Sequence, residues 1–237
     1  MTTLGFIGSG LMAREIARLA VAAGVEVVLS NRRGPESLAD LVAELGPLAS
    51  AADTAGAAKA DVVVLAAPLG NLPDLDPALF QGKPVLDITN YYPHRDGRIA
   101  ELDSGSVTIA QYVQGLLPDA RTVRVFSNIS YHHIPRLARP AGASDRSALP
   151  LAGDDPETRA TLAALTDRLG YDTVDTGDLT GSWRFEPNTI AYLTPYASPE
   201  LKSLADLRTT PAAPLPAKTL TALLAAAERT DQAAREF

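Results

Sequence analysis

Four short segments of this chain carry residues whose types and spacing suit chemistry on a phosphorylated nucleotide. The first is Gly8-Ser9-Gly10-Leu11-Met12-Ala13, a Gly-x-Gly-x-x-Ala pattern. Gly8 suits a tight turn, Gly10 lets a pyrophosphate approach the backbone, and Ala13 lets a helix pack close to a strand. The N–H groups of Gly8, Ser9, Gly10, Leu11 and Met12 would then face the phosphates, helped by the positive end of a helix dipole. The second is Ser30-Asn31-Arg32-Arg33, about twenty residues on. An Asp or Glu at that place would hold a ribose 2′-hydroxyl and repel a 2′-phosphate. Here no acid is present, and a pair of guanidinium groups with Asn31 suits a 2′-phosphate. The expected cofactor is therefore NADP(H). The third and fourth, Tyr91-Tyr92 and His132-His133, supply proton-bearing groups, which a reductase of an imine or carbonyl would need.

Other chemistries fall away. The chain has no Cys, which removes disulfides, thiol catalysis and iron–sulfur ligation, and its three His lack zinc spacing. Formal net charge is -7 with no long basic block, so nucleic acid is not an expected partner. The apolar runs are too short or too interrupted to cross a membrane, and no signal region precedes the first strand. The chain is expected in the cytoplasm.

These segments need elements to hold them. Leu4–Gly8 reads as a buried strand, and Ile16, Leu19, Ala20 and Ala23 recur at helical spacing before Gly24. Val25–Leu29 is a second strand, completing a βαβ unit. Val62–Ala67 is a nearly continuous apolar run, as in strands buried on both faces. Pro84–Ile88, Thr122–Phe126, Leu149–Gly153 and Tyr171–Thr176 read as further strands. Glu36–Leu45 looks helical, a turn and helix are expected within Ser104–Leu117, and Asp155-Pro156-Glu157 opens another helix as a capping acid followed by Pro. Asp154 and Asp155 read as a cap, not a metal pair. Ala212–Pro216 looks like a linker, and Lys218–Glu236 like an amphipathic helix with a packing or dimer face. His132 and His133, if extended, would point opposite ways. Trp183-Arg184-Phe185 reads either as a substrate floor or as a core anchor, with the second favoured.

The fold expected is α/β: a Rossmann-type, mainly parallel sheet with helices on both faces and a small C-terminal helical portion. Residues 1–128 would form the NADP-binding domain. Residues 129–237 would form a smaller substrate and dimerisation portion that continues the sheet.

The opening Gly5-Phe6-Ile7-Gly8-Ser9-Gly10, the Asn31-Arg32-Arg33 turn, Gly153-Asp154-Asp155 and Asp175-Thr176-Gly177-Asp178-Leu179 occur in that order. In this the chain resembles the NADPH-dependent F420 reductases (F420:NADP oxidoreductases), relatives of the pyrroline-5-carboxylate reductase N-terminal domain. The resemblance spans about residues 1 to 195. It implies hydride exchange between NADPH and the deazaflavin coenzyme F420. It implies cofactor contacts at Ser9, Asn31, Arg32, Arg33, Ala67, Pro68, Leu69, Thr89 and Asn90, and Asn128 close to the nicotinamide. Asn128, Tyr91 and His132 are the expected catalytic residues. Tyr91–Gly97 and Tyr131–His133 are bulkier and more polar than a deazaflavin shelf needs. Two alternatives therefore stay open: an NADPH-dependent reductase of a small imine or carbonyl compound, and an NADP(H)-sensing binding protein without catalysis. A homodimer is expected.

Overall fold

The computed structural model describes residues 2–231 and 233. One eight-stranded sheet runs through the molecule in the order β3-β2-β1-β4-β5-β6-β7-β8. The strands are β1 (Thr3–Ile7), β2 (Glu26–Ser30), β3 (Ala49–Ala51), β4 (Val62–Leu65), β5 (Pro84–Asp87), β6 (Arg121–Arg124), β7 (Ala148–Gly153) and β8 (Asp172–Asp175). β1 to β6 pair in parallel, β7 runs antiparallel to β6, and β8 is parallel to β7. The helices include α1 (Leu11–Ala22), α2 (Ala39–Leu45), α3 (Thr54–Ala57), α4 (Pro93–Asp96), α5 (Ala100–Asp103), α6 (Ile109–Leu116), α7 (Ile134–Leu137), α8 (Pro156–Arg168) and α9 (Ala217–Ala226). The expected Rossmann-type α/β architecture is what the chain adopts.

Strand periodicity sorts the core into two layers. Leu4, Phe6, Val62, Val64 and Leu86 face one layer, with Ile16 and Ala20 of α1. Ile7, Val63, Leu65 and Val85 face the other, with Ile109 and Val113 of α6. α1 buries Ala13, Ile16, Ala17 and Ala20, while Leu19 and Ala23 are only partly buried. Its small residues let it lie close to the sheet. At Gly5 a Cβ would stand 1.8 Å from the Ala57 carbonyl oxygen, so α3 approaches β1 over a bare backbone.

Several elements differ from the sequence reading. β6 stops at Arg124, and Phe126 takes a left-handed φ of 63°, which turns the chain sharply just past the strand. Tyr131 and His132 lie in a turn, and His133 precedes α7 in helical conformation, so the strand alternation expected for the two His does not apply. Ala212–Pro216 is not a linker. Leu215 is 3% exposed, its carbonyl accepts from Ala148 N, and its N–H donates to Ser147 Oγ. An apolar side chain between two prolines has sunk into the core beside β7. α9 ends at Ala226, because the chain then turns back and Arg229 reaches the Gly105 carbonyl. The expected helix beyond that point also covers residues 232 and 234–236, which lie outside the described residues. No described helix is long and apolar enough to cross a membrane.

Candidate active site

A cleft of about 750 Å³ opens at the carboxyl ends of the parallel strands, where ligands of open α/β sheets gather. Its centre is the turn from β1 to α1. Gly8 has a φ of 106°, a conformation that favours glycine, and a Cβ there would lie 2.7 Å from the Ala66 carbonyl. Gly10 differs. A Cβ at Gly10 would meet nothing within 4 Å, so open space stands over the first turn of α1. The Gly10 carbonyl accepts from Arg14 N, so the turn leads directly into the helix. A pyrophosphate laid over Gly10 would meet a bare backbone and the positive end of a 12-residue helix.

The end of β2 forms one flank. Ser30 Oγ donates to the Phe6 carbonyl, tying the strand end to β1. Asn31 Nδ2 donates to Ser9 Oγ and to Ser37 Oγ, and Asn31 Oδ1 accepts from Arg33 N at 2.8 Å. These bonds fix the turn's shape through Asn31 and leave both guanidinium groups at the exposed rim. Arg32 Nη1 donates to Asn71 Oδ1 across the cleft. The donor set is cationic and forked, as a 2′-phosphate requires.

The opposite flank follows β5. Thr89 N and Oγ1 both donate to Asp87 Oδ1. Asn90 Nδ2 donates to the Ser127 carbonyl, and its Oδ1 accepts from Arg124 Nη2 at 2.6 Å. Arg124 is wholly buried and also contacts Asp87 Oδ2 at 3.0 Å and the Thr89 carbonyl at 2.6 Å. The Thr89–Asn90 wall is therefore held from beneath by an internal ion pair. Arg95 donates to the Asn90 carbonyl and stands 4.7 Å over the Tyr92 ring.

Of the expected cofactor residues, Gly8, Ser9, Gly10, Leu11, Met12, Asn31, Arg32, Arg33, Ala67, Pro68, Thr89 and Asn90 all line this cleft. Leu69 does not. It is fully buried in the second apolar layer, where its side chain gains more from packing than from the cleft. The expected catalytic residues are displaced from the lining. Tyr91 is 0% exposed, and its hydroxyl donates to Asp103 Oδ1 while accepting from Ile99 N. Burial, and then the Asp103 carboxylate, push that phenol above its ordinary range. Asn128 is also 0% exposed, and its Nδ2 donates to the Ala191 carbonyl and Tyr196 Oη. It pins the C-terminal segment to the end of β6 rather than facing the cleft. His132 stacks against Tyr131 at 3.7 Å, and burial with the nearby Arg208 and Arg136 charges lowers its pKa. His133 is buried with Nε2 3.2 Å from the Thr210 carbonyl, and burial lowers its pKa in turn.

The cleft also takes in Arg95, from the polar Tyr91–Gly97 segment, and residues that the sequence reading did not single out: Thr54, Asn71, Asp74, Leu75 and Ile88. They sit just past strand ends or across the cleft from them, and no local motif marks them. Trp183 lies elsewhere. The guanidinium groups of Arg184 and Arg229 stand over its partly buried ring at 4.6 and 5.2 Å, whereas Phe185 is fully buried, so Phe185 rather than Trp183 anchors that segment in the core. Asp155 Oδ2 accepts from Thr158 N, capping α8, while Asp154 Oδ1 accepts from Leu179 N. Among the described residues no three or more His, Asp or Glu side chains converge as a metal-binding cluster.

Comparison with known proteins agrees with the geometry. Residues 3–91 match the family described as NADP oxidoreductase, coenzyme F420-dependent, a segment that contains the glycine turn, the Asn31–Arg33 turn and the Thr89–Asn90 wall. The resemblance read from the sequence stands over that segment. The metalloreductase STEAP3 of Rattus norvegicus is 27% identical over 204 residues, 85% of this chain but only 39% of that protein. The chain thus spans well under half the length of this curated relative. Among solved structures, the hypothetical protein SMa0349 of Sinorhizobium meliloti is 27% identical with a TM-score of 0.68, covering 79% of this chain and 91% of its own. A structure described as a candidate F420-dependent NADP-reductase of Arthrobacter sp. FB24 shares the fold at 23% identity and a TM-score of 0.65, covering 77% and 87%.

Proposed function

We propose that the protein is an NADP(H)-dependent oxidoreductase that moves a hydride between NADPH and the deazaflavin coenzyme F420. The observation that carries this is one cleft that joins an open glycine turn at Gly10 to a forked cationic rim at Arg32 and Arg33. The family match over residues 3–91 supports it. Gly8 to Met12 would cradle the pyrophosphate. Asn31, Arg32 and Arg33 would hold the 2′-phosphate, and Ala67, Pro68, Thr89 and Asn90 would border the nicotinamide. Bound there, the cofactor supplies the hydride. The chain's own residues orient the rings and keep water from them. Residues 1–128 would act as the cofactor unit. Residues 129–237 would close the acceptor side, in a cytoplasmic homodimer whose mass light scattering would read.

A second reading, reduction of a small imine or carbonyl compound, is favoured by the phenol of Tyr92 on the cleft wall. The test is an absorbance assay with purified protein, NADPH and oxidised F420, with NADH as control. Bleaching of the deazaflavin with NADPH and not NADH is expected. NADPH binding without bleaching would reject the deazaflavin and leave the second reading.

A further inference from the structure

Reduction by hydride leaves the acceptor one proton short, and one phenol of the cleft wall, Tyr92, is hydrogen-bonded to a second phenol behind it, Tyr192. Tyr92 lines the cleft just past β5. Its hydroxyl hydrogen-bonds to the hydroxyl of Tyr192, a residue 5% exposed and a hundred positions further along the chain. Tyr192 is held in place by the end of β6: Leu193 N donates to the Asn128 carbonyl at 2.9 Å, and Asn128 Nδ2 donates to the Ala191 carbonyl at 2.8 Å. The two phenols therefore meet just past β5, beside the segment that Asn128 holds. Arg95, paired with the Asp96 carboxylate, stands 4.7 Å over the Tyr92 ring and helps hold it in place. The other proton-bearing side chains that the sequence offers are turned elsewhere. Tyr91 is committed to Asp103, and His132 and His133 do not line the cleft.

We propose that Tyr92 is the proton donor to the acceptor and that Tyr192 is its relay. The proposal rests on the reductase reading and adds the group that completes the reaction. Two electrons and one proton reach the acceptor carbon as hydride, so the acceptor is reduced and the nicotinamide oxidised. The Tyr92 O–H bond breaks as an N–H or O–H bond forms on the acceptor's heteroatom. The Tyr92 oxygen then takes the hydroxyl proton of Tyr192, and Tyr192 regains one from water. The same step serves a deazaflavin nitrogen, an imine nitrogen or a carbonyl oxygen.

Tyr92→Phe and Tyr192→Phe keep the rings and remove one hydroxyl each. With NADPH and either F420 or a cyclic imine, Tyr92→Phe is expected to lower kcat about 100-fold or more, in the range of general acid catalysis. Tyr192→Phe should lower it less and abolish part of the solvent isotope effect. NADPH affinity, measured by calorimetry, should stay within about twofold in both, since neither phenol is on the phosphate side. A second readout needs no turnover. With tyrosine labelled at the hydroxyl-bearing ring carbon, NMR should show the Tyr92 and Tyr192 phenols titrating together. Tyr192→Phe should then shift the titration of Tyr92. An unshifted Tyr92 titration, or an unchanged kcat in Tyr92→Phe, overturns the relay. Wild-type protein inert toward both acceptors overturns the reductase reading instead, and the two failures are told apart by the titration.

Discussion

The two flanks of the cleft are built in opposite ways. At the β2 flank the turn itself is shaped by neighbours in sequence, Asn31 bonding to Ser37 and to Arg33 N, while Ser30 and Asn31 tie it to β1 and the glycine turn and the charged ends of Arg32 and Arg33 stand at the surface. The flank at β5 is shaped by residues far apart in sequence. Arg124 reaches back to Asp87, Thr89 and Asn90, Asn90 bonds to Ser127, and Tyr92 meets Tyr192. Binding strength on the first flank should therefore change without stability, whereas on the second flank the two should change together.

The sharpest way to break this contrast is Arg124→Met. It would leave Asp87 buried without its cation, and breaking one partner of a buried pair typically costs about 3–5 kcal/mol. Denaturant unfolding should show that loss, and Asp87→Asn added to it should recover part. A loss under about 1 kcal/mol would mean that the flank is not held from beneath. Next in size, Arg32→Ala with Arg33→Ala should weaken NADPH binding by on the order of 1.5–3 kcal/mol for each charge-assisted hydrogen bond removed. NADH binding and the unfolding midpoint should stay put. Equal weakening for both cofactors in calorimetry would remove the 2′-phosphate assignment. The smallest effect belongs to His133, which packs beside the C-terminal segment. Burial lowers its folded pKa below the ordinary value, so the unfolded chain binds the proton more readily. Stability should then fall as pH drops below about 6.5, by at most about 1.4 kcal/mol per pH unit for one group. His133→Gln should flatten that slope in melting curves between pH 5 and 7. A slope unchanged by the substitution would shift the cause to His132, whose pKa burial also lowers.

The same contrast governs what can be read from the sequence. The glycine turn, the Asn31–Arg33 turn and the buried strands are local patterns, and local patterns survive in one dimension. The residues that follow β4 and β5 need the family resemblance, and Leu69 shows its limit. It is adjacent in sequence to Pro68 in the cleft, yet its side chain turns into the core. Asn128, Tyr91 and His132 are polar groups near strand ends, and nothing in their sequence neighbours tells that Tyr196, Asp103 and Tyr131 will claim them. Tyr92 stands directly beside Tyr91 in the chain. Folding alone distinguishes the two: Tyr91 is buried against Asp103, and Tyr92 lines the cleft and meets a partner a hundred residues away. The apolar Leu215 likewise sinks into the core from a segment whose prolines suggest a spacer.

The Asn31–Gly34 turn has one more consequence, for inheritance rather than for chemistry. Its backbone is set by Asn31, Ser37 and the Gly34 carbonyl, which accepts from Ser37 Oγ at 2.8 Å. Neither arginine side chain is needed for that shape. Cofactor preference is thus a separable trait. Lineages could exchange one dinucleotide for the other by replacing surface residues in a preserved loop, without passing through a misfolded intermediate. The β5 flank has no such freedom, because a change there must carry Asp87, Arg124 and Asn90 along with it.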